Sequence, residues 1–499
     1  MLASVVSATL LGVEGQVVTV EVHVSPGLPA YHVVGLPDTA VRESRERVRA
    51  ALLSSELPWP QQRITVNLAP GGVRKTGAGF ELAVALGLLL GEGQLPAGVL
   101  DGVGVVGELG LDGSVRAVPG TLAFVDALRR AGITTVIVPE VGASEAMLAA
   151  DLHVRVARTL GELRACLKGE APWPDPPPPL APVDLADDEA DPLDLADVRG
   201  LTWARRALEV AAGGHHHLLL SGPPGAGKTM LARRLATIMP RLRDDEAFET
   251  TRIHSVAGCA PAGLMRAVPV RAPHHTASVA ALVGGGAARA RPGEVTMAHR
   301  GILFLDELGE FPPSALDALR QPLEERVVRI SRQQGTLTFP ADFLLVACTN
   351  PCPCGLGPPG CSCTEFQRAR YRRRLSAPLL DRFDLRLAVR PPEANDQAGE
   401  TSESVRGRVI NAVARQAARL AGTPWRHNGH IPAGALERLI PLSGDAAAAW
   451  RAQSELRVMT GRGAARVRRV ARTIADLDDV ADVLEAHIMW AALLREDVP

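Results

Sequence analysis

The run GPPGAGKT, comprising Gly222, Pro223, Pro224, Gly225, Ala226, Gly227, Lys228 and Thr229, has the residues that a phosphate-binding loop requires. Its glycines let the backbone turn its amide N–H groups inward, and a helix that follows adds its positive end, so phosphate oxygens are cradled. Lys228 is expected to reach the β- and γ-phosphates, and Thr229 to hold a magnesium ion through its hydroxyl. Further on, GILFLDE ends on Asp306 and Glu307. An apolar strand would carry Asp306 to a sheet edge, where it fixes the magnesium, and the adjacent Glu307 would polarise the attacking water. FLLVACTN ends on Asn350, a polar side chain for the γ-phosphate or that water. Arg382, in SAPLLDRFDL, has the apolar neighbours that would hold it rigidly at a domain edge and deliver it to a neighbouring subunit's phosphate; an ion pair with Asp381 or Asp384 is the alternative. Arg462, in MTGRGAARVRRVARTIADL, could reach the same phosphates from a helical lid, among many competing arginines. This is the chemistry of ATP hydrolysis with magnesium.

Other residues point elsewhere. ERVVRISRQQGTLTFPADF, Glu325 to Phe343, reads as a β-hairpin turning near Gln334 and Gly335. Arg326, Arg329 and Arg332 on it would neutralise DNA phosphates, or else protect a solvated edge. NPCPCGLGPPGCSC sets Cys352, Cys354, Cys361 and Cys363 in two Cys-x-Cys pairs on a proline- and glycine-rich loop. Four thiolates there would enclose one tetrahedral zinc, or remain free, with redox control of the neighbouring nucleotide site as a third reading. His274 and His275 are adjacent and point apart, which disfavours a shared metal. His215 to His217 read as a polar helix exit, and the run Arg466 to Arg472 as a lid surface.

These groups need a scaffold. At 499 residues the chain exceeds one hydrophobic core and predicts roughly three domains. Proline and acid residues replace apolar periodicity over 171–196, which predicts an extended linker. Before it, 1–170 mixes strand alternation, as in QVVTVEVHV and RITVNLA, with helical patterns at Val41 to Leu53 and Phe80 to Leu90. After it, 197–395 has the strand, loop and helix opening of a P-loop domain, with two further strands apolar on both faces. The remainder, 396–499, is rich in alanine and arginine at helical spacing and predicts a helical lid. Lys and Arg total 54 against 55 Asp and Glu, for a net charge of -1, so any DNA-binding surface must be local. No targeting or membrane-spanning segment is read, and the odd count of seven cysteines, four of them crowded, argues against a disulfide framework. A cytoplasmic location is expected.

In order along nearly the whole chain, VVGLPDTAVRESRERVRAAL, GPPGAGKTMLARRL, VRAPHHTASVAALVGGG, RPGEVTMAHRGILFLDELGEF, TNPCPCG, LLDRFDL and VARTIADL resemble the magnesium-chelatase group of AAA+ ATPases, and within it the family called ComM or YifB. The resemblance implies an α/β fold: a P-loop AAA+ core with a parallel sheet, an N-terminal α/β domain like that of Lon protease, and a C-terminal helical lid. It makes Asn350 the first sensor, Arg382 the arginine finger and Arg462 the lid sensor. It further implies a homo-hexameric ring, related to replicative helicases, that acts on single-stranded or branched DNA in recombination and natural transformation. In the first domain, GELGLDGSVRAVPGTL is similar to the Lon segment bearing a catalytic lysine, but the matching position is Leu122, and KTGAGFELAVALG lacks a serine. Without a nucleophile and its base, peptide hydrolysis has no chemistry, so a docking module is expected. A metal-insertion ATPase and a protein-remodelling chaperone are the alternatives. The first would lack the N-terminal extension, and the second would carry aromatic residues where this hairpin has arginines.

Overall fold

Alternating apolar and polar residues at the start of the chain fold as strands with one buried face, as period-two patterning requires. The computed structural model describes residues 1–72, 75, 77–178, 193–259, 263–286, 290–332, 335–357, 360–391, 397–456 and 460–495, and the chain divides into two compact units. The first comprises Met1–Asp184, Arg243–Arg266 and Ser331–Leu337; the second comprises the rest.

In the first unit, seven strands form one sheet in the order Ala30–Val34, Arg63–Ala69, Glu14–Ser25, Leu2–Leu11, Val103–Val105, Thr135–Pro139, His153–Ala157. Glu14–Ser25 pairs antiparallel with both neighbours, whereas the remaining pairings are parallel. The helix Glu81–Gly91 is buried on nearly every side, which its unbroken apolar run permits. Gly87 lets it lie directly on the sheet, since a Cβ there would come within 2.5 Å of Val22.

A helix from far along the chain, Asp244–Ala257, also belongs to this unit. Charge holds it: Arg252 donates to Glu14 at 2.5 Å and to the buried Asp126 at 3.1 Å. Glu145 accepts both the Leu122 amide, at 2.7 Å, and the Ser255 hydroxyl, and its burial raises its pKa. Nothing in the local pattern of this helix signals that destination.

The second unit is built on five parallel strands in the order Val270–Arg271, Ile302–Leu305, Leu344–Thr349, Leu218–Ser221, Leu385–Ala388. Every residue of the three central strands is buried, in accord with their apolar runs. Helices Thr202–Gly214 and Lys228–Ile238 and the C-terminal helices Ser402–Arg419, Gly461–Leu477 and Glu485–Leu493 share its core.

The helix Gly461–Leu477 corrects one expectation. The arginines of its run Arg466 to Arg472 are internal rather than a lid surface, whereas Arg462 at its start is exposed: Arg468 donates to the Ile440 carbonyl at 2.7 Å, Arg472 to those of Val480 and Ala481, and Arg466 pairs with Asp384 at 3.1 Å. Guanidinium groups can be buried in this way because carbonyls and carboxylates meet their donors. Asp476, fully buried, accepts from Arg419 and Asn428 and ties the C-terminal helices to one another. Among the described residues, no helix is long and apolar enough to cross a membrane.

Candidate functional site

The strand Leu218–Ser221 leads into the glycine-rich loop, and the helix Lys228–Ile238 leaves it. Gly222 is required by closeness, because a Cβ there would lie 2.2 Å from the Val389 carbonyl oxygen. Gly225 and Gly227 are required by conformation, with φ of 78° and 85°. The loop therefore coils where amide groups and a helix N-terminus converge. Lys228 Nζ donates to the carbonyls of Gly222 at 2.7 Å and Pro223 at 2.9 Å, and to Asn350 Oδ1 at 3.2 Å. Burial lowers its pKa.

Because Leu344–Thr349 lies between the loop strand and Ile302–Leu305, Asn350 and Asp306 leave adjacent strands beside the loop. Asp306 Oδ2 accepts from the Thr229 hydroxyl at 2.9 Å, and Oδ1 accepts from the Glu307 amide at 3.0 Å. The spacing fits magnesium: adjacent ligands of an octahedron with bonds of about 2.1 Å lie about 3.0 Å apart, and both donors are hard oxygens. A cavity of about 380 Å³ is lined by Pro224 to Met230, Asp306, Glu307 and Cys348 to Asn350. Of the residues read from the sequence for the nucleotide, Pro224 to Thr229, Asp306, Glu307 and Asn350 line this one cavity.

His275, expected to make a contact of its inserted segment rather than to bind a metal, has its Nδ1 3.3 Å from Glu307 Oε2. The motif VRAPHHTAS marked the segment, but no local rule connects it with Glu307. The rings of His274 and His275, expected to point apart, instead lie together, with centroids 4.1 Å apart and planes tilted by 34°.

Arg382 and Arg462 do not line the phosphate cavity. They line a second cavity of about 340 Å³, with Glu324, Arg326, Asp342 and Asp384. Glu324 accepts from Arg382 at 2.5 Å and lies 3.9 Å from Arg462, so one carboxylate gathers both arginines. Among the described residues the ion pair of Arg382 is with Glu324 rather than with Asp381 or Asp384, the two partners weighed from the sequence. No sequence pattern identified Glu324.

The hairpin forms, with strands Val327–Arg332 and Gly335–Pro340. Residues 333–334 and the Arg332 side chain lie outside the described residues. Arg326 turns inward: it donates to the His430 carbonyl at 3.2 Å and lies 3.8 Å from Asp342. Its expected phosphate role is therefore corrected to an internal one. Arg329 is half-exposed and pairs with Glu325.

Of the histidines at the helix exit, His215 and His216 are buried and His217 is half-buried. His215 ends the helix at φ 56°, His216 meets the Thr473 hydroxyl at 2.8 Å, and His217 Nδ1 accepts the Leu345 amide at 3.1 Å. Burial pushes the pKa of His215 and of His217 down to about 4. Asp342 lies 3.4 Å from His430 and accepts from Arg300 at 2.7 Å; these neighbouring charges hold its carboxyl well below the usual range despite burial.

In the first unit Leu122 is fully buried in the helix Thr121–Arg130, and Lys75 is buried with its ammonium donating to the Pro70 carbonyl. No serine or cysteine occurs from Lys75 to Gly87, the segment where a nucleophile would be expected. Elsewhere, the four clustered cysteines come together, with their sulfurs within 4.8 Å of one another.

Residues 194–397 match the family described as magnesium chelatase, subunit ChlI; residues 20–142 match subunit ChlI of Mg-chelatase, and 399–495 its C-terminal family. Competence protein ComM of Haemophilus influenzae is 40% identical, over 98% of this chain and 96% of its own length. The protein YifB of Salmonella typhimurium is 40% identical over 99% of this chain and 97% of its own. An uncharacterised protein of Mycobacterium tuberculosis is 43% identical over 94% of each.

Proposed function

Because this chain belongs to the ComM and YifB family of magnesium-chelatase-like AAA+ proteins, we propose that it hydrolyses ATP to move along DNA as a ring of identical subunits. Magnesium, held by Thr229 and Asp306, would neutralise charge on the β- and γ-phosphates. Lys228 binds phosphate from the loop, Asn350 orients it, and Glu307 takes the proton of the attacking water while His275 fixes its carboxylate.

One observation carries the assembly. Arg382 and Arg462 share Glu324 on a cavity separate from their own chain's phosphate site. A phosphate for these cations is then supplied by a neighbouring copy, and Arg462 acts across the same interface rather than as a lid over its own nucleotide. Glu324 holds both until that phosphate replaces it.

The DNA reading rests on the exposed hairpin arginine Arg329, on Arg332, and on a full-length relative named as a competence protein. Six such hairpins in a ring would supply a local positive lining that the net charge of -1 lacks. Branch migration during recombination and natural transformation is the activity proposed, in the cytoplasm. The first unit serves as a non-proteolytic, Lon-like docking module, and 1–170, 171–196, 197–395 and 396–499 remain the proposed divisions of the chain.

The chelatase description of all three family matches favours a second reading, an ATPase subunit for metal insertion. ATP turnover measured with and without forked or single-stranded DNA separates the two. Stimulation by DNA, weakening as salt rises, supports the motor; unchanged turnover at low salt rejects it.

A further inference from the structure

Directly after Asn350 the chain enters a loop whose register is set by prolines and glycines and whose sulfurs converge. Cys352 and Cys354 have their Sγ atoms 3.3 Å apart, Cys354 and Cys361 are 3.8 Å apart, and Cys361 and Cys352 are 3.5 Å apart. Cys363 completes the group within 4.8 Å, and none of the four is in a disulfide. A tetrahedral zinc with Zn–S bonds of about 2.3 Å sets its sulfurs about 3.8 Å apart, so these separations match its edges. From this geometry we propose that Cys352, Cys354, Cys361 and Cys363 bind one structural zinc ion beside the nucleotide site.

The backbone is already arranged for sulfur ligands. The Cys354 amide points at Cys363 Sγ at 3.3 Å, the Gly357 amide at Cys352 Sγ at 3.4 Å, and the Cys363 amide at Cys361 Sγ at 3.4 Å. N–H groups directed at sulfur stabilise thiolates, and a pair of Cys-x-Cys turns folds each pair of amides onto the cluster. On binding, Zn²⁺ replaces four thiol protons, which pass to solvent, leaving a site of net charge -2. Arg368, on the helix Glu365–Arg374, interacts with Cys361 and offsets part of that charge. Four protein ligands leave no open position, so the ion's part is structural rather than hydrolytic.

Position gives the site its consequence. Gly355 is packed so closely on the phosphate loop that a Cβ there would lie 2.8 Å from Pro224. Beyond the last cysteine, Tyr371 meets the Thr349 hydroxyl at 3.3 Å, and Arg374 donates to the Gly309 carbonyl and to Glu310, both at 2.9 Å. The zinc therefore ties together Asn350, the phosphate loop and the turn that follows Glu307.

Full-length protein purified without added metal is analysed for metal content after exhaustive dialysis, then exchanged with Co²⁺. The expected results are one zinc per chain and, on exchange, the thiolate-to-cobalt charge-transfer and d–d bands of a tetrahedral thiolate site. Cys361→Ser loses the zinc and the bands; Cys259→Ser, outside the cluster, keeps both. If Cys361→Ser does not fold, titration of the wild type decides: a thiol reagent should release zinc as four thiols react. Wild type with no stoichiometric zinc and no tetrahedral cobalt spectrum overturns the proposal, as does a folded Cys361→Ser that retains its zinc. Neither readout depends on ATP turnover or DNA, so this site and the motor stand or fall separately.

Discussion

Glu307 has φ of 52°, the left-handed region that a residue with a Cβ enters at a cost of about 1–3 kcal/mol. That conformation turns its amide onto Asp306 and leaves its carboxylate beside His275. Eight other described residues with a Cβ also have positive φ, so it is the place beside Asp306, the proposed magnesium ligand, that assigns Glu307 to the proposed chemistry. Glu307→Gln keeps the shape and the backbone but removes the basic oxygen. Its ATP turnover is expected to fall at least about a hundredfold, the scale of a lost general base, while fluorescent-nucleotide titration finds ATP binding intact. Hydrolysis at the wild-type rate would remove Glu307 from the mechanism.

Among elements, two carry charges whose roles separate cleanly. The helix Asp244–Ala257 packs on the helix Thr121–Arg130 and is tied there through Arg252, which reaches Glu14 and Asp126. Asp126 also meets Arg129 at 3.0 Å, so Arg252→Ala does not strand an unpaired buried carboxylate. Thermal unfolding of that variant should show a loss of about 1–3 kcal/mol, the value of hydrogen bonds to charged partners. An unchanged melting curve would mean that the helix is held by apolar packing instead. The hairpin, by contrast, should leave stability untouched. Arg329→Ala is expected to weaken binding to single-stranded DNA, with the slope of log affinity against log salt reduced by about one unit for each lost phosphate contact. Equal salt slopes for variant and wild type would place DNA elsewhere.

For the whole molecule, the separation of the two arginines from their own phosphate site leads to a mixing experiment. Lys228→Ala lacks a working pocket, and Arg382→Ala lacks the cation for a neighbour's pocket; each alone is expected to be nearly inactive, with losses on the order of 10³-fold for the arginine. Mixed together, the two should recover part of the turnover at interfaces that join an intact pocket to an intact arginine. No recovery in mixtures shown to co-assemble would mean that Arg382 acts within its own chain. Acid stability is a second property of the assembled fold. His215 and His217 are held near a pKa of about 4 by burial, below the ordinary value of 6.5. Between those two values the unfolded chain takes up protons that the folded chain refuses, so stability falls as pH drops from about 6.5 toward 4. Each imidazole contributes on the order of 1–3 kcal/mol to that fall. The depressed carboxyls of Asp342 and Asp384 add their own loss only below the ordinary aspartate range, near 3.8. Denaturant titrations at a series of pH values check the order of these two losses.

The phosphate loop, the acidic pair and the buried strands were legible in sequence because each is a local object: a run of residues whose backbone geometry, hydrogen bonding or apolar periodicity is fixed within a few positions. Thr229 and Asp306 could be paired in advance because a parallel strand always delivers its last residue to the same edge as the loop. Only the folded chain could join His275 to Glu307, gather Arg382 and Arg462 onto Glu324, turn Arg326 inward, or carry the helix Asp244–Ala257 to the distant helix Thr121–Arg130. Those are contacts between residues that share no period and no motif. Their partners are chosen by where the elements pack, and packing is decided by the surfaces of the whole molecule rather than by any one stretch of it.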